Sequence, residues 1–360
     1  MIPLEAMDQE CNKETKERIS SIKQLPPDFT LSEEESSFLL NPPQRALPFR
    51  VTPYYLSLCS RSDPGDPLRR QCIPTISESR FKEYELEDPL GDKKYLASTR
   101  LVHRYRDRAL LLATDQCAMY CRHCFRRSSA GKGHISNLEL SLAVAYCKEH
   151  NEIKEIILSG GDPLTLADDR LTDIIRRFRT MREGIVIRIH SRIPVVLPQR
   201  ITSGLVSSLA NFLPLWLVTQ FNHPRELTPD SCEALRRLAA SGITLLNQTV
   251  LLKGINDNFE TLEQLCRSLV RLGVKPYYLF QGDLARGTYH FRTSILEGLK
   301  LYRKLTDLSG LLRPIYAVDL PGGGGKVVLD SGSVEGCHNG WLILKSREGK
   351  IYRYPIEESQ

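Results

Sequence analysis

The 360-residue sequence lacks any apolar run long enough to cross a membrane, and its longest ones, such as Ala109–Ala113, have the length of a strand. Its N-terminus, MIPLEAMDQECNKETKER, lacks the apolar core of a signal peptide. It also lacks a basic block with interleaved aromatic residues, which a nucleic-acid-binding surface would need. We therefore expect a cytoplasmic protein that binds neither membranes nor nucleic acids.

The net charge excludes few classes of binding partner, whereas the spacing of the cysteines is informative. The 49 basic and 43 acidic residues are scattered, and the net charge of +6 is compatible with an anionic ligand without requiring one. Ten cysteines are too dilute in a chain of this length for a disulfide scaffold. Three of them lie within eight residues, which in the cytosol indicates metal ligation. The remaining seven, which we interpret as ordinary thiols, are Cys11, Cys59, Cys72, Cys147, Cys232, Cys266 and Cys337.

The pattern of apolar residues predicts three regions. Residues 1–100 are polar and rich in proline, and we predict a helical and irregular N-terminal cover. In residues 101–312, apolar runs alternate with helix-period segments, the last of which is Thr293–Leu308. The predicted strands are Ala109–Thr114, Glu155–Leu158, Gly184–Ile189, Leu215–Gln220, Ile243–Leu251 and Lys275–Phe280. This alternation predicts an α/β fold, a partial (β/α)6 barrel with its chemistry at the C-terminal ends of the strands.

Residues 313–360 form the third region, a C-terminal extension. Tyr316–Leu320, Trp341–Lys345 and Lys350–Tyr354 are apolar enough to form short strands, and we predict that they are antiparallel. They would close the mouth or one side of the barrel.

A cysteine motif, Cys117-Ala-Met-Tyr-Cys121-Arg-His-Cys124, directly follows the first predicted strand. Three thiolates can bind three irons of a [4Fe-4S] cubane and leave the fourth iron without a protein ligand. An open iron can chelate S-adenosylmethionine (SAM), whose S–C5′ bond breaks on reduction to give a 5′-deoxyadenosyl radical. A zinc site is the alternative, but it needs a fourth ligand, and His123 is awkwardly placed for that. The spacing resembles that of the radical SAM superfamily.

A second motif, Ser159-Gly160-Gly161-Asp162, ends the second predicted strand. Two glycines at a strand end let backbone atoms approach a ligand closely, although the motif alone would be an ordinary turn. In radical SAM enzymes a similar stretch lies against the amino group of SAM. The resemblance therefore implies that these four residues bind SAM.

Four glycines in Asp319-Leu-Pro-Gly-Gly-Gly-Gly-Lys326 are the most unusual feature of the C-terminal region. Such a run costs backbone entropy, so some contact must need bare backbone there. A phosphate-cradling loop is one interpretation, but a Walker A loop is excluded because Val327 follows the lysine and no helix begins there. A flexible linker is the other interpretation, and the strand-like flanks make it the weaker one.

From about residue 45 to 330 the chain resembles the lysine 2,3-aminomutase family. The matching segments include His103–Arg108, the cysteine motif, SGGDPL, Arg192–Arg200, FNHP from Phe221, Gly254–Asp257, Gly282–Leu284, His290–Thr293 and DLPGGGGK. The resemblance implies that Lys326 forms a Schiff base with pyridoxal 5′-phosphate (PLP). It places Arg104, Tyr105 and Arg108 near the PLP phosphate and ring, and Gln248 against the cofactor. Surface salt bridges for the arginines and a buried barrel glutamine are the alternatives.

The resemblance also implies a substrate and a reaction. Arg126 matches the residue that binds the α-carboxylate of lysine, and Asp283 and Asp319 match the pair that binds its ε-ammonium. The implied activity is that of an isomerase that interconverts L-lysine and β-lysine by 2,3-amino migration. The alternatives are a related aminomutase acting on another amino acid or on a lysine attached to elongation factor P, and, from another class, a non-enzymatic zinc-binding module.

Two further expectations concern metals and partners. The family's long members carry structural zinc, but here Asn258 follows the Gly254–Asp257 turn and the tail after residue 346 has no cysteine, so we predict no zinc. We expect an electron donor such as flavodoxin or ferredoxin, and a homo-oligomer is compatible with the resemblance.

Overall fold

The computed structural model describes residues 17–131, 133–329, 333–346 and 348–356. Cys11 and the end of the tail, about which we made predictions, lie outside the described residues. No helix in the described ranges is long and apolar enough to cross a membrane.

The N-terminal cover is built from short helices joined by irregular segments. These helices are α1 (Glu33–Leu40), α2 (Pro53–Ser57) and α3 (Arg69–Cys72). A capping box starts α1, in which Ser32 and Glu35 satisfy each other's backbone N–H groups. Tyr55, Leu68 and Cys72 are buried in the same apolar core as the barrel strands. The cover is therefore part of the core rather than a separate layer.

The described residues form a ten-stranded main sheet whose strands follow one another in chain order. These strands are β1 (Leu96–Ser98), β2 (Leu101–Tyr105), β3 (Arg108–Thr114), β4 (Glu155–Gly160), β5 (Val186–His190), β6 (Leu215–Thr219), β7 (Thr244–Val250), β8 (Val274–Phe280), β9 (Ile315–Leu320) and β10 (Gly325–Val328). Strands β3 to β9 are parallel, whereas β1, β2 and β10 pair antiparallel to their neighbours. The sheet is thus a partial α/β barrel with antiparallel strands at both edges.

Helices connect the parallel strands and cover the outside of the sheet. They are α4 (Asn137–Glu149), α5 (Asp168–Met181), α6 (Ile193–Val196), α7 (Ser203–Ala210), α8 (Pro229–Ala240), α9 (Phe259–Arg271) and α10 (Ile295–Thr306). Helix α9 shows why they form. The Asn258 side chain caps its first turn by accepting from the Thr261 N–H at 2.9 Å. The residues that α9 buries, Leu262, Leu265, Cys266 and Leu269, recur with the helical period and face the sheet.

The structure confirms the predicted fold class and the six strands, which correspond to β3–β8, but corrects one pairing. We predicted Tyr316–Leu320 as part of an antiparallel extension, yet β9 pairs parallel with β8, through Tyr278 and Ile315. The physical reason is the intervening helix α10. A crossover helix brings the chain back to the edge of the sheet at which the preceding strand began. The strand after the helix therefore runs parallel to the strand before it. Only its other neighbour, β10, is antiparallel to β9.

The remaining strands form a small separate sheet. It contains β11 (Val334–His338), β12 (Trp341–Lys345) and β13 (Ile351–Pro355), and its pairings are antiparallel as predicted. The main sheet extends past residues 100 and 312, where we placed the region boundaries, and that division stays a prediction.

Candidate active site

One cavity of about 630 Å³ lies at the C-terminal ends of the parallel strands. Every site residue that the sequence predicted lines it, although these residues come from segments more than 200 positions apart. They are Arg104, Tyr105, Arg108, Cys117, Cys121, Cys124, Arg126, Ser159, Gly160, Gly161, Asp162, Gln248, Asp283, Asp319 and Lys326. The fold therefore brings the two predicted cofactor sites and the predicted substrate contacts into one chamber.

The cysteine loop is held in place by a buried arginine between the ligands. The Arg122 side chain is fully buried and donates to both carboxylate oxygens of Glu78, at 2.7 and 2.6 Å. It also donates to the carbonyl oxygens of Leu47 and Pro48, at 3.0 and 2.9 Å. Arg127 donates to the same glutamate. These contacts with the N-terminal cover fix the position of the cysteine loop, and the three cysteines line the cavity.

Burial disfavours ionisation of two of the three thiols, and an arginine donates a hydrogen bond to the third. Burial raises the pKa of Cys117 well above its usual value, and burial followed by the charge of Cys121 raises that of Cys124 to about 11. Arg192 Nη1 lies 2.8 Å from Cys121 Sγ and donates to it. The positive charge of bound iron would convert the buried thiols of Cys117 and Cys124 into thiolates.

Among the described residues, no three His, Cys, Asp or Glu side chains converge on one point as ligands of a single ion. A cubane distributes three cysteines over three different irons, so its ligands need not converge in that way. The donor set fits a [4Fe-4S] cluster.

The glycines of the second motif have a packing role that the sequence did not reveal. A Cβ atom on Gly160, where φ is +115°, would overlap with the carbonyl oxygen of Thr114, and one on Gly161 would overlap with that of Gln116. The Gly161 and Asp162 N–H groups donate to these same carbonyls, at 2.5 and 2.8 Å. Bare backbone is needed here so that the end of β4 can lie against the start of the cysteine loop.

Asp162 links the ends of two strands. Its carboxylate accepts from Ser191 Oγ and Arg192 N, both at 2.7 Å, and from Leu164 N at 3.0 Å. Burial nevertheless raises its pKa to about 6. Because these three donors occupy the carboxylate, its role in the described structure is to join β4 to β5, and a contact with SAM stays a prediction.

Lys326 projects into the cavity from an apolar environment. It pairs with Asp319 across the β9–β10 ladder, which places the two side chains on one face. Its Nζ lies 4.3 Å from the ring centroids of Tyr278 and Phe280. Burial lowers the pKa of Lys326, and the charge of Asp319 opposes that shift. The amine is therefore more readily neutral than a surface lysine, as a nucleophilic amine must be.

An anion site adjoins this lysine. Arg104 Nη2 is buried and has no hydrogen-bond partner among the described residues, while its Nη1 donates to the carbonyl of Leu90 at 3.2 Å. The Arg108 guanidinium lies 3.9 Å from the ring centroid of Tyr105, whose hydroxyl accepts from Lys326 N at 3.0 Å. An unpartnered buried guanidinium nitrogen calls for an anionic acceptor, and a phosphate suits it. Arg104 and Tyr105 fit PLP, whereas Arg108 forms an ion pair with Asp107 at 2.7 Å.

The glycine run is a tight turn between paired strands. Gly323, with φ of +90°, accepts a hydrogen bond from the Tyr95 hydroxyl at 3.0 Å. A Cβ atom on Gly324 would overlap with the Tyr352 ring and lie 2.6 Å from Leu320 Cβ. The run is therefore neither a Walker A loop nor a linker. Its glycines allow the backbone before Lys326 to pack between two tyrosines.

Two carboxylates and an arginine lie in the same cavity. Burial, followed by repulsion from Asp319, raises the pKa of Asp283 to about 8. Such a pair of carboxyls attracts a cation. Arg126 is ion-paired with Asp92 of the N-terminal cover, at 2.9 Å.

Two cavity residues, Arg188 and His190, were missed by the sequence analysis. His190 Nε2 is buried and unpartnered within the described ranges, as is Arg188 Nε. Burial, followed by the charges of Arg188, Lys326 and Arg126, lowers the pKa of His190 well below its usual value, so the imidazole is neutral. A signal was present, since both alternate with buried isoleucines at the end of β5. Polar residues with period 2 at a strand's C-terminal end face the barrel interior.

Comparison with known proteins identifies relatives that match almost the whole chain. Residues 111–267 match the family model of the radical SAM superfamily. The L-lysine 2,3-aminomutase of Clostridium subterminale is 41% identical over 344 residues, which cover 95% of this chain and 82% of that protein. The enzyme of the same name from Fusobacterium nucleatum is 40% identical over 98% of this chain and 84% of its own length.

Two more distant matches complete the comparison. The glutamate 2,3-aminomutase of Clostridioides difficile is 36% identical, covering 94% of this chain and 81% of that protein. Among solved structures, a radical SAM methyltransferase from Sphaerobacter thermophilus matches with a TM-score of 0.46 and 17% identity, over 61% of this chain and 68% of that one.

Proposed function

We propose that this chain, which belongs to the lysine 2,3-aminomutase family of radical SAM enzymes, interconverts L-lysine and β-lysine with PLP as a second cofactor. The family membership makes it a radical SAM aminomutase, an isomerase that uses SAM and a [4Fe-4S] cluster. One observation carries the choice of lysine. Two carboxyls, Asp283 and Asp319, share a cavity with Arg126 and Lys326.

Each cofactor has named residues that would hold it. Cys117, Cys121 and Cys124 would bind the cluster, with SAM on the open iron beside the end of β4. Lys326 would bind PLP covalently, with Arg104 and Arg108 on its phosphate. When bound, the cluster and SAM supply a 5′-deoxyadenosyl radical, and PLP delocalises an unpaired electron on the substrate.

The chain's own residues prepare the lysine and orient the substrate. Burial of Lys326 favours its neutral form, and Asp319 pairs with it across the β9–β10 ladder. Arg126 would bind the α-carboxylate, and Asp283 with Asp319 would bind the ε-ammonium. Fixing both ends of the substrate holds the hydrogen on C3 at a set place relative to the radical source.

The same acidic pair argues against glutamate. The side-chain carboxylate of glutamate would face two carboxyls instead of a counter-charge. Two like charges about 4 Å apart repel by roughly 4 kcal/mol at an effective dielectric constant near 20, which corresponds to a loss of about three orders of magnitude in affinity. We therefore infer that a glutamate-selective enzyme would need other residues at Asp283 or Asp319.

The test is anaerobic turnover with the cofactors quantified. Protein reconstituted with iron, sulfide and PLP is incubated with L-lysine, SAM and dithionite, and β-lysine is measured by chromatography. L-glutamate and lysylated elongation factor P are tested in parallel, and Lys326→Ala serves as the inactive control. Absence of a 3-amino product, with iron and PLP at full occupancy, would exclude the aminomutase. Turnover of lysylated elongation factor P alone would exclude only free lysine.

Partners are a separate part of the proposal. Reduction of the cluster needs a one-electron donor, and we propose flavodoxin or ferredoxin. Replacing dithionite with each reduced protein should sustain β-lysine formation, and light scattering should show whether the chain is a homo-oligomer.

A further inference from the structure

A segment of the N-terminal cover, Asp88–Tyr95, touches both the PLP-lysine turn and the predicted carboxylate site. We call it the bridging segment. Asp88 shapes it, because its carboxylate accepts from the Asp92 and Lys93 N–H groups at 3.0 and 3.1 Å. The Pro89 carbonyl accepts from Gly322 N at 3.0 Å. The bridging segment therefore holds the PLP-lysine turn and the predicted carboxylate site, which are far apart in sequence, in fixed positions relative to each other.

A close packing contact limits movement of the bridging segment. Gly91 has a φ of +65°, and a Cβ atom there would lie only 3.0 Å from Gly323 N. The carbonyl of Leu90 accepts from Arg104 Nη1, and the Tyr95 hydroxyl donates to Gly323 O. The carboxylate of Asp92 is thus carried by backbone that is tied to the glycine run and to the PLP-phosphate arginine.

The ion pair between Asp92 and Arg126 has an informative geometry. Asp92 Oδ2 accepts from Arg126 Nε at 2.9 Å, and Nη2 of the same guanidinium lies 2.9 Å from that oxygen in the ion pair. A guanidinium has two edges that can bind a carboxylate, Nε with Nη2 and Nη1 with Nη2. Asp92 occupies the first edge. Arg126 Nη1 has no hydrogen-bond partner in the described part of the chain, so the second edge remains available in the cavity.

We propose that Asp92 is a positioning residue that fixes Arg126 with its terminal edge presented to the α-carboxylate of the substrate. This inference rests on the proposed function, and it concerns any α-amino acid that the site accepts. An arginine side chain has several rotatable bonds, and ordering them on binding costs affinity. Asp92 orders the rotatable bonds of Arg126 before the substrate binds. The bridging segment also sets the distance from this edge to the turn that carries Lys326.

The test separates substrate binding from turnover in Asp92→Ala and Asp92→Asn. We expect the KM for L-lysine to rise about ten- to thirtyfold in Asp92→Ala, with kcat within about twofold of the wild-type value, because the bound carboxylate then orders Arg126 itself. Asp92→Asn keeps an acceptor oxygen and should give an intermediate KM. The matched control is Asp28→Asn, which removes an exposed partner of Arg61 and should change neither constant.

Two further readouts distinguish positioning from a general structural role. Iron and PLP content should equal those of the wild type. With L-lysinamide, which lacks the carboxylate, the inhibition constant should be the same in the wild type and in Asp92→Ala. An equal loss for lysine and lysinamide would refute the proposal, as would an unchanged KM. A KM that falls would show instead that Asp92 competes with the substrate for Arg126.

The experiment also separates this inference from the proposed function. If the wild type does not turn over lysine, the proposed function fails. The same constants are then measured with the amino acid that it accepts, since every α-amino acid carries the carboxylate in question.

Discussion

The raised pKa of Asp283 predicts a specific pH dependence of lysine use. The free enzyme holds this carboxyl protonated up to about pH 8, because burial and the neighbouring Asp319 disfavour its charge. The ε-ammonium of lysine needs the ionised form. At pH 7 about one molecule in ten has it, and at pH 6 about one in a hundred. The value of kcat/KM for lysine should therefore rise about tenfold from pH 6 to 7 and about fivefold from pH 7 to 8, and should level off above about pH 9.

The assay is the kcat/KM profile from pH 6 to 9, which reports ionisations of the free enzyme. The substrate's α-amino group also titrates at alkaline pH, so the diagnostic quantity is the difference between the wild type and Asp283→Asn. That variant should show a lower and flatter profile. Asp319→Asn removes the repulsion on Asp283 and should move the midpoint to lower pH. A wild-type profile that parallels that of Asp283→Asn would refute the assignment of Asp283 to the ammonium.

Three other predictions follow from the site and its support. Lys326→Ala should lose PLP absorbance and all measurable β-lysine formation while keeping full iron content, and loss of iron as well would contradict separate cofactor sites. Gly324→Ala should lower PLP occupancy because its Cβ would overlap with the Tyr352 ring, whereas Gly310→Ala, which meets open space, should match the wild type in absorbance titrations. Arg122→Ala leaves the charge of Glu78 buried with less compensation, so the free energy of unfolding should fall by about 3–5 kcal/mol. Iron content should fall as well. An unchanged melting temperature would contradict this role of Arg122.

Local features of the sequence were sufficient to predict the fold class and six of the strands, and they also carry the prediction of the cluster site, which stays a prediction. The spacing of Cys117, Cys121 and Cys124 is a property of one short loop, so no long-range information was needed to predict it. Strands β3 to β8 were predicted because apolar runs and helix-period segments are local signals. Strand β9 was predicted as a strand, but its parallel pairing depends on a partner about forty residues away, which no local pattern specifies.

The sequence by itself determined which residue types were present for radical chemistry, which segments form strands, and where the unusual glycines and cysteines lie. Only the tertiary structure decided which charges face each other. Asp92 meets Arg126, and Arg122 meets Glu78. The physical reason is that charge pairing and burial depend on distances between side chains on different elements. Those distances exist only after the sheet and its N-terminal cover have packed together.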